Sequence, residues 1–359
     1  TRRVKHAEIL LKELGGERDL WFKISQKLSR ASENVLGDMF ILASAVSYSG
    51  SSHPEERKAF MSFLQRLCTA RQIPFTEKFS IKKHIGNQTE IARWKLAGLP
   101  DDSHHIENAI IMNKATLWPL LVDPHGLATT WIKKLYKDKG LMSQMLSEKD
   151  FLPMLETAVE MGLPFLIERV PEKLPNDLDP IFFKQAYRTS GSIHQKIKLD
   201  EREIEWNENF RLFIATELHD PHFLPTVSTK VCILDFSVTP AGMEETLLNV
   251  VLLHEHPTLE EERIEVQVQV VENQEQLKET EAHILKVMSE SMGNILDDEN
   301  AIAVLRESQK IAKTVAAKQE LAKSLESKLT ELETKAGSIE KLAKEVKENE
   351  KKLYDLANS

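Results

Sequence analysis

Proline placement constrains this chain more than any other feature. From Thr258 to Ser359 there is none, whereas Pro74 to Pro257 hold every proline except Pro54. A ring that locks φ and removes an N–H donor breaks a helix interior, so its absence leaves the last stretch free to form uninterrupted helices. Apolar residues there fall at Ile311, Val315, Ala322, Leu325, Leu329, Leu332, Ala336, Ile339, Ala343, Val346 and Leu353. The steps alternate four and three, which is the seam of a coiled coil held for about six heptads. Lys318 and Glu350 alone break it, and Glu331→Lys335 and Glu340→Lys344 add favourable i,i+4 pairs. A looser seam (Ile264, Val268, Val271, Leu285, Met288, Met292) precedes it, with Gly293-Asn294 to stop one helix and Asp297 and Asp298 to start the next. The pattern predicts a long antiparallel coiled-coil hairpin, whose longer arm at 1.5 Å per residue reaches roughly 80 Å.

The first stretch, Thr1 to about Arg71, also reads as helix. Leu11, Leu14, Trp21, Leu28, Val35, Leu42 and Val46 lie on a 3-4 spacing. Gly15-Gly16 and the polar Arg18, Ser25 and Ser32 interrupt that stripe, which predicts bent helices in a hairpin or bundle fragment instead of one rod.

The middle reads differently. Short apolar runs at Trp118–Val122, Leu163–Ile167 and Leu212–Thr216, bounded by Pro, Gly or charge, predict buried strands of a mostly parallel sheet. Thr129–Lys139 and Phe151–Met161 have helical spacing between the first two, so the fold class is α/β. Ile193, Ile197 and Leu199, a turn at Asp200-Glu201-Arg202, then Ile204 and Trp206 predict an inserted hairpin.

Composition removes several functions. The 359 residues carry 47 Lys+Arg against 56 Asp+Glu, a net −9, with no basic stripe for nucleic acid or a membrane surface. The longest apolar-rich run, Leu247 to Leu253, is far below the roughly 18 residues that span a bilayer. Two cysteines, Cys68 and Cys232, make neither a disulfide framework nor a cysteine zinc site. The expectation is a soluble intracellular protein of a reducing compartment, without a signal peptide. Because the chain begins at Thr1 and stops inside a charged helical pattern, it is expected to be a piece of something larger.

A parallel sheet binds ligands beyond the carboxyl ends of its strands. The first such loop is Asp123-Pro124-His125-Gly126-Leu127-Ala128-Thr129-Thr130. Laid over G-x-x-x-x-G-K-[ST], it keeps the terminal hydroxyl at Thr130 but has Asp123 and Ala128 for the glycines and Thr129 for the lysine. A carboxylate at the loop entrance repels the phosphates such a loop attracts. The next strand ends Glu168-Arg169, where a P-loop ATPase carries an acid for magnesium and a glutamate that prepares water. Glu168 could still hold a cation, but a guanidinium cannot act as a base. Glu217 ends the third strand, where a neutral polar side chain would face the γ-phosphate. The loop thus reads as the relic of a nucleotide site, with catalytic, cofactor-binding and metal residues all absent.

Other groupings fall short of sites. His219-Asp220-Pro221-His222 and His254-Glu255-His256 lack metal-binding helical spacing, and His104-His105 beside Asp101-Asp102 reads as loop surface. Cys68 and Cys232 read as core thiols, Trp118, Trp131 and Trp206 as packing residues, and Asn87-Gln88-Thr89 is a sequon without meaning in a reducing compartment.

The run IENAIIMNKATLWPLLVDPHGLATTWIKK (Ile106 to Lys134) resembles the fifth AAA+ module of dynein heavy chains. NFRLFIATELHDPHFLPTVSTKV (Asn209 to Val231) resembles its later strand and loop, and SVTPAGMEETLLNVVLLHEHPTLEEER (Ser237 to Arg263) the helix leading into the coiled hairpin. ELGGERDLW (Glu13 to Trp21) and GNILDDENAIAVL (Gly293 to Leu305) match the stalk's return and the hairpin's second arm, and the whole looks more axonemal than cytoplasmic.

The resemblance implies a returning stalk helix base at 1–35, the helical small subdomain of the preceding module at 36–73, and an α/β large subdomain with a degenerate P-loop at 74–238. Small-subdomain helices extended into the buttress or strut hairpin would occupy 239–359. It implies a mechanical, non-hydrolysing module that relays ring movements to the microtubule-binding stalk, with ATP and magnesium held in other modules of the parent motor. Implied partners are the neighbouring modules and stalk of the same chain, the microtubule through the stalk tip, and dynein intermediate and light chains, with no nucleic acid and no membrane. The implied location is cytoplasm and cytoskeleton, in the axoneme of cilium or flagellum. By position, Thr129 stands for the P-loop lysine, Arg169 for the catalytic acid and Glu217 for the sensor. Lys230 lies near the place of an arginine finger, a role its ammonium does not suit. The residues leave two alternatives: an active nucleotide-binding ATPase with a divergent site, or a stand-alone coiled-coil scaffold.

Overall fold

The computed structural model describes residues 2–77, 79–188, 195–199, 202–239 and isolated positions between 242 and 286. The expected coiled-coil hairpin, with its seam from Ile311 to Leu353, the break at Gly293-Asn294 and His254-Glu255-His256, lies outside the described residues. Contacts divide the chain into two units, and the one spanning Trp21–Thr246 contains all the described strands. The other begins in the same long helix, which is helical from Arg2.

That helix, α1 (Arg2–Tyr48), runs for 47 residues without a break. One continuous helix thus stands where the sequence suggests several bent ones. Glycine keeps its N–H, so it costs a helix only about 1 kcal/mol in propensity and leaves the hydrogen-bond ladder whole. The helix also passes through residues 35 and 36, where the resemblance implies a module boundary. Only part of the predicted stripe is covered within the unit: Leu42 is buried, while Leu28 and Val35 are exposed.

Helix α2 (Pro54–Ala70) follows, started by Pro54 at a position whose N–H has no intrahelical partner, with Glu55 and Glu56 in the first turn beside the positive end of the dipole. Its Leu64 and Cys68 pack with Ile41 of α1 in a small separate core. Next come α3 (Ile81–His84), α4 (Gln88–Leu96) and α5 (Ser103–Lys114). The side chain of Asn87 caps α4 through the Thr89 amide, and that of Asp102 caps α5 through the His105 amide.

The α/β part contains β1 (Trp118–Val122), α6 (Leu127–Leu135), β2 (Met142–Met145), α7 (Phe151–Met161), β3 (Pro164–Glu168), α8 (Asp179–Phe182), β4 (Gln195–Leu199), β5 (Arg202–Trp206), β6 (Arg211–Thr216), α9 (Pro225–Ser228) and β7 (Val231–Asp235). Five strands form one parallel sheet in the order β2-β3-β6-β1-β7. Strands β4 and β5 form the expected hairpin, with Ile197 opposite Ile204. The three predicted strands are present, and β2 and β7 add the two edges. The predicted helix Thr129–Lys139 starts two residues earlier and ends at Leu135, with a separate short turn at Lys137–Lys139.

Alternation along the strands builds a core on each face of the sheet. Leu120, Phe165, Ile167, Leu212 and Ile214 meet α7 and α8 on one side. Leu121, Leu166, Phe213, Ala215 and Leu234 meet α4, α5 and α6 on the other. Each such aliphatic or aromatic side chain contributes about 1.5–3 kcal/mol on burial, which explains why the strands read as continuous apolar runs. Trp131 is buried, and the Trp118 indole donates to the Ile181 carbonyl at 2.8 Å. Cys68 is buried, and burial pushes the half-buried Cys232 thiol up to about 11.

One expectation is corrected. His104 and His105 are not loop surface; both lie buried on α5. Because Asp102 caps α5, the helix starts at Ser103 and turns the two imidazoles inward, His104 to the Asp235 carbonyl and His105 against Phe236.

Candidate functional site

Parallel topology places the carboxyl ends of β1, β3 and β6 side by side, with Val122 opposite Thr216 and Ile167 opposite Ile214. The residues singled out in the sequence follow directly: Asp123 after β1, Glu168 and Arg169 at the end of β3, Glu217 after β6. The strand order reverses here, since β1 leads toward β2 and β3 while β6 crosses to β7 on the opposite side. Such a reversal is where α/β sheets open a crevice.

The loop after β1 satisfies its own polar groups. The Asp123 side chain is almost completely buried. Its Oδ1 accepts from the Leu127 amide and its Oδ2 from the Thr129 amide, both at 2.8 Å. The first amides of a helix are unpaired and carry the positive end of the dipole, so they bind phosphate where one is available. In α6 an internal carboxylate occupies them. Thr130, at the hydroxyl position of the motif, turns its Oγ1 back to the Gly126 carbonyl at 2.7 Å. Gly126 caps the helix at φ 72°, and open space surrounds the place where a Cβ would stand, so its backbone conformation is what requires glycine.

Glu168 is engaged as well. Lys133 Nζ lies 2.6 Å from its Oε1, and the Ser143 hydroxyl donates to the same oxygen. Burial opposes its charge, but the hydrogen bonds from Lys133 and Ser143 outweigh burial and hold its pKa below the usual carboxylate value. Arg169 Nε donates to Glu217 Oε1 at 2.7 Å, and the partnership raises the guanidinium pKa. Glu217 is therefore a paired carboxylate, not the bare anion its sequence position suggests. Arg169 adopts φ 54°, left-handed backbone that costs a residue with a Cβ about 1–2 kcal/mol. His125 of the loop and His219 after β6 stand edge to face, their rings 5.6 Å apart.

Lys230 is elsewhere. It precedes β7 and so lies at the amino end of the parallel sheet, where its ammonium binds Asp179 and Asn176. Lys133 and Ser143 are the participants that sequence reasoning missed. Lys133 lies one helical turn beyond Thr129, a spacing that puts it on the same face of α6. Ser143 sits in β2, a half-buried strand whose Met-Ser-Gln-Met sequence lacks a strand-like apolar run. Among the described residues no group of three or more His, Cys, Asp or Glu side chains is arranged to hold a metal ion. No described helix is long and apolar enough to cross a membrane.

Residues 92–315 match the family described as the ATP-binding dynein motor region. The chain is 36% identical over 331 residues to human dynein axonemal heavy chain 3, covering 92% of this chain and 8% of that protein. It is 34% identical to mouse dynein axonemal heavy chain 1 over 325 residues and 35% identical to human dynein axonemal heavy chain 6 over 324 residues, each match covering 90% of this chain and 8% of the relative. The chain thus spans less than a tenth of the length of these curated relatives. A five-stranded parallel sheet between helices, a phosphate-loop position after its first strand and similarity along nine-tenths of the sequence agree: the chain belongs to the dynein heavy chain family and contains part of its motor region.

Proposed function

We propose that this chain is a non-catalytic AAA+ module of a dynein motor, a mechanical part of the ring that relays conformational change between the ATPase modules and the microtubule-binding stalk. The observation that carries this reading is the Asp123 carboxylate on the Leu127 and Thr129 amides, the place a nucleotide phosphate would take. Glu168 and Glu217 support it, because each is held by a cation of the chain itself. In this reading the module is the fifth of the ring. Residues 1–35 are the base of the returning stalk helix, 36–73 the preceding module's small subdomain, and 239–359 the helices that extend into a buttress or strut hairpin. Its partners are the neighbouring modules and stalk of the same chain and, through the stalk tip, the microtubule, with intermediate and light chains in the parent complex. The axonemal names of the relatives favour a place in the cilium or flagellum.

Titration of the 359-residue chain with a fluorescent ATP analogue and magnesium tests the passive crevice. The expected result is no saturable binding; micromolar binding competed by ADP would make the chain a nucleotide-binding ATPase module with a divergent loop. Shortening the C-terminal stretch after about Ala282 in the full motor tests the relay. Basal ATP turnover is expected to persist while microtubule stimulation is lost, and intact stimulation overturns the relay.

A further inference from the structure

A buried polar knot surrounds the first two turns of α5. From the α1–α2 side, Arg57 is almost completely buried and donates through Nε and Nη2 to the Ser49 carbonyl, at 3.2 and 3.0 Å. Its Nη2 also donates to Asn108 Oδ1, and its Nη1 lies 3.4 Å from Glu107 Oε2. Ser49 closes α1, its amide bonded to the Ala45 carbonyl. Arg57 therefore fastens the end of the long helix to α5.

On the sheet side, Asn108 Nδ2 and His104 Nε2 both donate to the carbonyl of Asp235 at the end of β7. The Asp235 amide donates to the Gly50 carbonyl at 3.0 Å, so the α1–α2 turn covers the open edge of the sheet. His53 Nδ1 reaches Asp235 Oδ2 at 3.2 Å. On the exit side, Asp102 accepts from the Thr239 hydroxyl with Oδ2 and from the His105 imidazole with Oδ1. Thr239 in turn accepts from the Gly242 amide, and its carbonyl from Met243, which starts the outgoing helical positions.

We infer that the knot on α5 is a mechanical junction: it ties the end of the incoming helix α1 to the start of the outgoing segment at Thr239, so that displacement of one is passed to the other. The inference rests on the relay reading and names a route for it. A buried network of hydrogen bonds is suited to this, because loss of one partner leaves the others unpaired away from water. Arg57 and the Asp235 carbonyl meet at Asn108, and Thr239 meets Asp102 at the start of the same helix, so the incoming and outgoing elements share α5 as a common support.

The test is reciprocal, as coupling must be. Peptide-resolved hydrogen exchange is measured on the 359-residue chain, on Asn108→Leu and on Thr239→Val. Asn108→Leu removes the bonds to Arg57 and Asp235, neither of which involves Thr239; it is expected to speed exchange at Gly242 and Met243 by about tenfold. Thr239→Val removes the hydroxyl on Asp102, and it is expected to speed exchange at Asp235, whose amide is bonded to Gly50 and which lies at most about 14 Å of extended chain away. Changes confined to the immediate neighbours of each substitution overturn the junction. Where Asn108→Leu does not fold, the Thr239→Val arm decides alone, since faster exchange at Asp235 supports the junction and unchanged exchange refutes it. Neither arm involves nucleotide, so ATP binding by the chain would defeat the passive-crevice reading and leave this result standing.

Discussion

Asp123 Oδ2 lies 2.8 Å from the amide of Thr129, the residue that stands where a phosphate-binding loop has its lysine. One residue has thus taken over the work of capping α6, and a second has lost the charge that would attract a ligand. Both changes act in the same direction. A carboxylate fixed at the helix terminus by two amides keeps the positive dipole end neutralised whether or not an anion is present.

Asp123→Ala removes both acceptors and leaves the half-buried Leu127 and Thr129 amides without a side-chain partner. The expected cost is about 1–2 kcal/mol of stability, the upper range of a lost helix cap. Asp123→Asn keeps one acceptor and is expected to lose less. Urea unfolding of the three chains gives the ranking, and equal midpoints for wild type and Asp123→Ala refute the capping role.

At Arg169 two contributions oppose one another. The ion pair with Glu217 is more than half exposed at both ends, so solvent screening leaves it weak. The left-handed backbone at φ 54° costs about as much or more. Arg169→Ala loses the pair and keeps the strain, whereas Arg169→Gly loses both. Arg169→Gly is therefore expected to be the more stable variant by about 1 kcal/mol, read from thermal or urea midpoints. The reverse order would mean that the left-handed backbone at this position carries no such strain.

What the sequence made legible follows from the same physics. Strands β1, β3 and β6 are buried on both faces, and only a continuous apolar run can serve such a position, so Trp118–Val122, Leu163–Ile167 and Leu212–Thr216 stood out. The edge strand β2 has one side covered and carries Ser143 and Gln144, which leaves no run to detect. Strand β7 was hidden for another reason: it ends at Asp235, whose carbonyl is held by His104 and Asn108 of α5 and whose amide is held by Gly50 in the α1–α2 turn, all far away in sequence. The candidate crevice residues could be found from loop position alone. Their mutual pairing could not, because Arg169 and Glu217, 48 positions apart, are brought together only by β3 and β6 lying side by side.

Two glycines are expected to respond in opposite ways to the same substitutions. A Cβ at Gly50 would stand 2.5 Å from the Ile233 carbonyl oxygen and 2.9 Å from Leu234, so the fault is lack of space. At Gly126 nothing lies within 4 Å, and the fault is φ 72°. Asparagine tolerates left-handed backbone better than alanine. Gly126→Asn is therefore expected to be milder than Gly126→Ala, and Gly50→Asn harsher than Gly50→Ala, with the Gly50 variants losing about 1–3 kcal/mol or more. Matching rank orders at the two sites, measured by chemical denaturation, would refute the distinction.

Acid sensitivity should originate at His104. Burial, with the nearby Arg57 and His105 adding to it, lowers the pKa of this imidazole from 6.5 to about 4. Its Nε2–H donates to the Asp235 carbonyl, so the neutral tautomer is the one the fold accepts, and Nδ1 is buried without a partner. The unfolded chain takes up a proton at His104 near pH 6.5, whereas the folded chain does not until about pH 4. Stability from this residue is therefore complete above pH 6.5 and is lost as pH falls between those values, by about 3 kcal/mol at 1.36 kcal/mol per unit. Glu107, whose pKa burial raises, works in the opposite sense, since its folded form gains from protonation. Comparing the chain with His104→Asn separates the two: the variant retains Glu107 and removes the imidazole. The unfolding free energy of the parent is expected to fall steeply from pH 6.5 to 4.5, and that of His104→Asn to be flatter by about 2 kcal/mol over the same interval. Parallel curves for the two proteins would place the acid sensitivity in other groups.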